Sequence, residues 1–354
     1  MKNLKSLLSR RNKIAEYYGD TLRGVLFTSP VLTSYFTGIT FSGYWLFLSS
    51  DKWYVLTPQL LYEQIRNTAG RQRGLFFKCT KDIIAGVAEI ASRDNLRGVM
   101  LDFGCTTHSQ ARAIIEKLGP EIPVEDCTKV IREIRSVKDS VEAGFIRTAG
   151  RIADKVFTEW TRTFFRAGKT EHELAKELDT LILSYYCIPA FETIIASGPN
   201  SAYPHHVPGK RKIRENEPVI LDFGVKYQGY CCDLTRTVFI GKLNKLFNKL
   251  YKVVDTAYNA GIESVRPSIP AKNVDTAVRQ VVEHSGYGKR FIHGTGHGVG
   301  LEVHEAPTVS AKSADLLVKG NVITVEPGVY IPNRGGVRIE NTVIITKTGC
   351  KRLT

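Results

Sequence analysis

VILDFGVKYQGYCCDLTRTVFI at residues 219–240 and ITVEPGVYIPNRGGVRIENTVII at residues 323–345 are the two stretches that decide the fold of this chain. Each reads as two largely apolar strands around a turn, and each carries two carboxylates. Asp222 and Asp233 are 11 residues apart, Glu326 and Glu340 are 14 apart. A loop centred between Tyr227 and Gln228 sets Asp222 directly opposite Asp233, and the same arithmetic about Asn333 sets Glu326 opposite Glu340. Directly opposed residues share a sheet face, with Cβ atoms roughly 4.5–5.5 Å apart, so like charges placed there repel. A single such pair could be two solvent-facing acids that splay apart. Two pairs, each inside an apolar strand, are better explained by bound cations. Four carboxylates offset the charge of two divalent ions, whose separation of about 3.5–4 Å suits one bridging water or hydroxide.

Between the hairpins lies FIHGTGHGVGLEVHE at 291–305, whose glycines permit close backbone approach and which presents His293, His297 and His304. One histidine added to the four carboxylates gives an oxygen-rich site suited to Mn²⁺ first, with Co²⁺ or Zn²⁺ as alternatives. Outward from the hairpins, the pattern becomes helical. Val141, Phe145, Ala149, Ile152, Val156, Trp160 and Phe164 recur every three or four residues and predict one face of a helix over 138–167. Thr170 and Glu173 form a capping box for a second helix over 170–186. Two more helices, about 246–266 and 270–284, precede the second hairpin. The order helix, helix, hairpin therefore occurs twice, which predicts an internal duplication with pseudo-twofold symmetry.

The whole chain, at 354 residues with 43% hydrophobic and 24% charged residues, has room for two domains. Residues 1–130 read as a separate α/β domain without a catalytic motif. Gly24–Phe27 predicts a strand, Tyr44–Leu48 and Trp53–Thr57 a hairpin around Ser49–Lys52, and Pro58–Ala69 a helix. The boundary falls between about 128 and 139, and the second domain runs over 138–354. Seven scattered cysteines with no CxxC spacing read as reduced, buried side chains rather than a disulfide framework. Cys231 and Cys232 adjoin Asp233, but thiolates do not match a carboxylate-rich site. No apolar run approaches the roughly 20 residues of a membrane span, so a cytoplasmic protein with no membrane partner is expected. The net charge of +14 is spread along the chain, for example at Lys5, Arg10, Arg11, Lys210, Arg211, Lys289 and Arg290, and lacks the aromatic interleaving of a nucleic-acid surface.

Together LDFG at 221–224, DLTRT at 233–237, HGTGHGVGLEVHE at 293–305, EPGVY at 326–330 and GVRIEN at 336–341 resemble the pita-bread metallopeptidase family, in its Xaa-Pro branch of aminopeptidase P and prolidase. Residues 1–130, with Tyr35-Phe36-Thr37-Gly38, more loosely resemble the creatinase-like amino-terminal domain of that branch. The resemblance implies an α/β (α+β) architecture. It implies two divalent ions, one held by Asp222, one by His297 and Glu326, with Asp233 and Glu340 bridging. It makes His205 a substrate-pocket histidine, His304 the contact to the scissile carbonyl, and Glu326 the general acid and base as well as a ligand. His293 and Arg338 would steady the ligands through hydrogen bonds. The implied reaction is hydrolysis of the bond before a proline in the second position of a peptide. A homo-oligomer, dimer or tetramer, is expected by analogy. Some prolidases carry an arginine where this chain has Thr308, and its absence tilts the expectation toward an aminopeptidase that accepts longer peptides. Methionine aminopeptidase shares the ligands but usually lacks a preceding domain of this size, and creatinase chemistry uses no metal. The alternative from another class is a non-catalytic binding protein on the same fold, contacting nucleic acid or protein through its basic surface.

Overall fold

The computed structural model describes residues 4–18, 21–70, 72 and 74–354. The chain divides into two compact units, 1–134 and 135–354. In the first, the elements run α1 (Leu4–Tyr18), β1 (Arg23–Phe27), α2 (Pro30–Thr37), β2 (Trp45–Ser49), β3 (Lys52–Thr57), α3 (Gln59–Ala69), β4 (Leu75–Cys79), α4 (Ile83–Arg93), β5 (Gly98–Leu101), α5 (His108–Leu118) and β6 (Val124–Asp126). They build one six-stranded sheet in the order β4-β3-β2-β1-β5-β6. The predicted hairpin is β2–β3, closed tightly by Ser49↔Lys52 with Ser50 at φ 54°. β1 pairs parallel with β5, and β5 parallel with β6. Strands buried on both faces need continuous apolar runs, which Val25–Phe27 and Val99–Leu101 supply. Helix α6 (Thr128–Ser136) leads out of this unit.

The second unit continues with α7 (Ser140–Thr163), α8 (Glu171–Ser184), β7 (Ile188–Pro189), β8 (Ile194–Ser197), β9 (Val219–Phe223), β10 (Val225–Tyr227), β11 (Tyr230–Cys231) and β12 (Leu234–Val238). It then repeats the theme with α9 (Lys245–Ser264), α10 (Lys272–His284), β13 (Gly296–Gly298), β14 (Glu305–Val309), β15 (Val322–Val325), β16 (Gly328–Ile331), β17 (Gly335–Arg338), β18 (Asn341–Ile345) and β19 (Cys350–Arg352). Asp139 and Glu142 form a reciprocal capping box at the start of α7, and Thr170 with Glu173 does the same for α8. The buried stripe of α7 keeps Ala149, Val156 and Trp160 of the predicted one but takes Ile146 and Ala153 in place of their neighbours Phe145 and Ile152. Ile146, Ala149, Ala153, Val156 and Trp160 are fully buried, whereas Phe145 and Ile152 flank them half-buried. The helix also stops at Thr163, before the Gly168 that the spacing suggested.

Each half has its own core. Trp160, Leu174, Leu178 and Ile182 of α7 and α8 pack on Leu221, Phe223 and Leu234 of β9 and β12. Leu250, Val254 and Ala257 of α9, with Val274, Val278 and Val282 of α10, pack on Ile323, Val325 and Val343 of β15 and β18. Burying such side chains contributes roughly 1.5–3 kcal/mol each, so helix pairs hold each hairpin's apolar face and leave the carboxylate face for the site. All seven cysteines are free, and Cys79 and Cys105 are exposed, a correction to the expectation that all are buried. Among the described residues no helix is long and apolar enough to cross a membrane.

Candidate metal centre and active site

The first hairpin is offset from its predicted register. Asp222 pairs with Thr235, not Asp233, and the ladder runs on to Tyr227↔Tyr230. The turn is the two residues Gln228 and Gly229, at φ 52° and 85°, the double left-handed geometry that suits the twist of a tight hairpin. Its centre lies one residue later than the sequence reading places it, which moves the pairing by two. Side-chain parity is unchanged by a two-residue offset, so Asp222 and Asp233 remain on one face and line one pocket.

In the second hairpin Val325 pairs with Asn341 on one side of a break and Gly328 with Arg338 on the other, in a single register. Continuing that register across the break sets Glu326 level with Glu340, as the arithmetic about Asn333 gives. Pro327 has no N–H, and only Ile339 N–H to Pro327 O (3.3 Å) crosses there. Glu340 N–H donates instead to Thr235 O at 3.1 Å, in the other hairpin. Thr342 exchanges bonds with the Asp233 backbone at 2.8 and 3.0 Å, and Thr237 Oγ1 donates to Arg338 O at 2.8 Å. These cross-links draw four carboxylates from two hairpins into one place.

The glycines bring in the histidine. A methyl group on Gly296 would lie 2.1 Å from Thr324 O, and one on Gly298 2.1 Å from Ala306 O, so only glycine lets β13 press this closely on its neighbours. His297 Nε2 then stands 3.4 Å from Glu326 Oε1 and 3.6 Å from Asp233 Oδ2. Its Nδ1 lies 3.1 Å from Gly298 O, and since a carbonyl only accepts, Nδ1 carries the hydrogen. A neutral ring in that tautomer aims the Nε2 lone pair at carboxylate oxygens, which a cation between them would satisfy. Ligand atoms of Asp233, His297 and Glu340 all lie within 4.8 Å of one another. Asp222 Oδ1, Asp233 Oδ1 and Glu340 Oε1 are buried without a hydrogen-bond partner. Buried polar atoms are nearly always paired, so three orphaned carboxyl oxygens in one pocket fit metal ions.

The electrostatics agree. Burial, then Glu340, Asp222 and Glu326, pushes the Asp233 carboxyl well above its usual range. Burial and the neighbouring Asp222 push Glu326 up to about 7 against the pull of Arg338. Burial, then Glu326 and Asp222, pushes Glu340 up to about 8. Arg338 answers part of this charge. Its guanidinium donates to Asp222 Oδ2, to Tyr330 Oη at 2.9 Å, to Thr235 Oγ1 at 3.1 Å and to Pro204 O at 3.4 Å. Burial opposes its charge, but Tyr330 and Asp222 outweigh that and hold it well above the ordinary value. Tyr330 Oη in turn donates to His293 Nε2 (2.9 Å), whose Nδ1–H meets Gly294 O at 2.7 Å. Burial lowers His293 to about 4, which keeps that relay neutral.

The pocket has a volume of about 660 Å³, with Phe191, Ile194 and Val207 as apolar walls and His205 and His304 near the carboxylates. The His304 ring lies 4.2 Å from that of His297, and burial, then the two nearby histidines, lowers its pKa. His206 also borders the pocket, but its Nε2 is 2.8 Å from Glu171 Oε2 and is thereby committed, whereas His205 is exposed. Thr308 is exposed at the rim, and its backbone N–H donates to Asp315 Oδ2 at 2.7 Å. Burial raises the thiols of Cys231, to about 12, and Cys232, so neither offers a thiolate. Tyr330, Thr235 and Glu171 escape the sequence reading. Tyr330 sits in the quoted EPGVY and could have been found there, while Glu171 is hidden between the two residues of a cap.

A carboxylate-and-histidine centre between paired hairpins, in a chain that also carries a separate α/β unit, defines a metallopeptidase architecture. The chain belongs to metallopeptidase family M24, whose model matches residues 144–347, and the creatinase/prolidase N-terminal domain matches residues 10–137. It is 34% identical over 348 residues to an Xaa-Pro dipeptidase of Pyrococcus furiosus, covering 98% of this chain and 97% of that protein. Among solved structures, an Xaa-Pro dipeptidase from Bacillus anthracis superposes with a TM-score of 0.93 at 29% identity, covering 98% of this chain and 97% of that one. An X-Pro aminopeptidase from Thermotoga maritima superposes with a TM-score of 0.86 at 28% identity, over 94% and 95%.

Proposed function

We propose that this protein hydrolyses the N-terminal bond of peptides with proline in the second position, as the relatives named for Xaa-Pro hydrolysis do. The observation that carries the reading is the set of orphaned oxygens on Asp222, Asp233 and Glu340, gathered with His297 in one pocket. Asp222, Asp233, His297, Glu326 and Glu340 would hold two divalent ions, with manganese the first candidate and cobalt or zinc the alternatives. Such ions supply a water acidic enough to be deprotonated near neutral pH. The residues divide the remaining work. Glu326, which lines the same pocket, would accept that water's proton and return it to the leaving amine. His304, at the mouth of the carboxylate cluster, is placed to donate to the oxygen of the scissile carbonyl as charge grows on it. His205 lies against the same space and would orient the peptide. Arg338 fixes Asp222, and through Tyr330 it fixes His293.

Because neutral Thr308 stands at the rim, the reading favours peptides longer than a dipeptide. The non-catalytic reading has no observation in its favour, since all five ligand candidates are present and line one pocket. Seven free thiols suit a cytoplasmic setting, which belongs to this proposal. The test is to chelate the purified protein, restore Mn²⁺, Co²⁺ or Zn²⁺ in turn, and follow release of the first residue from Gly-Pro and from a longer Xaa-Pro peptide. Faster turnover of the longer peptide is expected. No hydrolysis of either peptide by metal-loaded protein would overturn the reading.

A further inference from the structure

Glu171 is a carboxylate with no role in the chemistry above, yet it is completely buried at the first turn of α8. A buried charge persists only where its hydrogen-bonding capacity is filled. Here five donor groups fill it. Ser197 gives its backbone N–H (2.8 Å) and its Oγ (2.6 Å), Asn200 its Nδ2 (3.0 and 3.2 Å), His206 its Nε2 (2.8 Å) and Gly209 its backbone N–H (3.1 Å). A carboxylate only accepts, so His206 Nε2 carries a hydrogen whatever the charge of the ring. Two of these donors, His206 and Gly209, belong to the segment that carries His205.

That segment is held on both sides of His205. The carbonyl of Pro204, one residue before, accepts from Arg338 Nη1 at 3.4 Å, and the side chain of His206, one residue after, is tied to Glu171. His205 and Val207 are exposed and border the pocket, while His206 between them is turned to the buried anchor. An exposed histidine on an irregular loop has no packing of its own to fix it, and a catalytic or binding side chain needs such support from its neighbours. We propose that Glu171 and His206 are positioning residues that hold His205 in the catalytic pocket. This rests on the peptidase reading, in which His205 orients the substrate.

The test is kinetic, on the metal-loaded full chain. His205→Ala first establishes which parameter, KM or kcat, His205 controls. His206→Phe keeps a ring but removes the donor, and it should move that same parameter in the same direction, by about tenfold, the worth of one hydrogen bond to a charged group. His206→Gln keeps an N–H donor and should recover most of the loss. In the double variant His205→Ala/His206→Phe, the second substitution should add nothing to the first, because its effect passes through His205. Thermal melting and bound-metal content, measured on each variant, separate a local effect from a failure to fold, and Glu171→Gln provides a second route should His206→Phe not fold. An additive double variant, an unaltered His206→Phe enzyme, or a loss in the other kinetic parameter overturns the proposal. Absence of Xaa-Pro hydrolysis by the unsubstituted protein is a different result, and it overturns the peptidase reading instead.

Discussion

At the scale of single residues, the centre stores repulsion that its metal ions would relieve. Glu340 has a carboxyl pushed up to about 8 by burial and by Glu326 and Asp222, so the folded, metal-free protein keeps a proton there that the unfolded chain releases near the ordinary glutamate value. A carboxyl raised in the folded state contributes stability at low pH that is lost as pH rises through the folded value. The metal-free protein should therefore weaken between about pH 4 and pH 8, and Glu340→Gln should flatten that slope while raising stability by roughly 1–3 kcal/mol at pH 8. Denaturant titrations with and without chelator across this range measure it. The same substitution should cut metal-restored activity at least a hundredfold, because one ligand oxygen becomes an amide. Arg338→Lys keeps the charge but cannot serve Asp222, Tyr330, Thr235 and Pro204 together, and a 10- to 100-fold drop in kcat/KM is expected. An Arg338→Lys enzyme with undiminished turnover would show that the fork geometry is dispensable.

At the scale of elements, the two hairpins show what a sequence can and cannot specify. Alternation fixed which residues share a face, so Asp222 with Asp233 and Glu326 with Glu340 were legible as sets. The exact opposite number was not. In 219–240 a turn one residue later satisfies the same alternation, and only the left-handed backbone of Gln228 and Gly229 selects it. In 323–345 the same arithmetic gave the observed register because the break at Pro327 inserts no extra residue. The candidate ligands stood out because histidines and carboxylates inside apolar or glycine-rich strands are few, and their separate roles came only from the resemblance, whereas Thr235, Thr342 and Tyr330 are common residue types whose contacts depend on which strand lies beside them. The glycine pattern of 293–300 implies close approach of the backbone, and Gly298 makes it testable. Gly298→Ala would press a methyl within 2.1 Å of Ala306 O, a backbone atom that cannot step aside alone. We expect a loss of about 2–4 kcal/mol in unfolding free energy together with weakened metal binding, since His297 is the adjacent residue. Calorimetry with parallel metal analysis decides the case, and unchanged melting would mean that β13 and β14 separate more easily than their packing implies.

At the scale of the whole molecule, the sequence divided cleanly into a motif-rich and a motif-poor part for a physical reason. A six-stranded sheet whose parallel partners β1 and β5 come from residues 23–27 and 98–101 is specified by long-range packing, which no local pattern records. The second unit could be read because its chemistry demands particular residue types at particular places. Between its first residues and its site runs an ion network that periodicity does not reveal. Lys138 Nζ, fully buried, meets Glu305 Oε1 at 2.5 Å, and Arg135 Nη2 meets Glu305 Oε2 at 2.7 Å and Glu302 Oε2 at 2.8 Å. Burial alone would raise the Glu305 carboxyl, but Lys138 and Arg135 overcome that and hold it below the usual range. A carboxyl lowered in this way contributes stability above its unfolded pKa that is lost as pH falls through the folded value. Removing Lys138 leaves the buried Glu305 carboxylate to Arg135 alone, which costs less than the roughly 3–5 kcal/mol of a fully unpaired buried charge, while removing the Glu305 charge as well relieves that deficit. Lys138→Met should therefore be destabilised near neutral pH, and Lys138→Met/Glu305→Gln, in which Arg135 keeps Glu302 as its charged partner, should regain part of the loss. Because the pair is buried, 1 M salt should leave the difference between the two variants nearly unchanged, unlike an exposed ion pair. His304 directly precedes Glu305, so the single variant should also lower kcat at temperatures where it remains folded. A Lys138→Met protein as stable as the unsubstituted chain, or a double variant no better than the single one, would place the support of the His304 segment in its hydrogen bonds and packing rather than in this pair of charges.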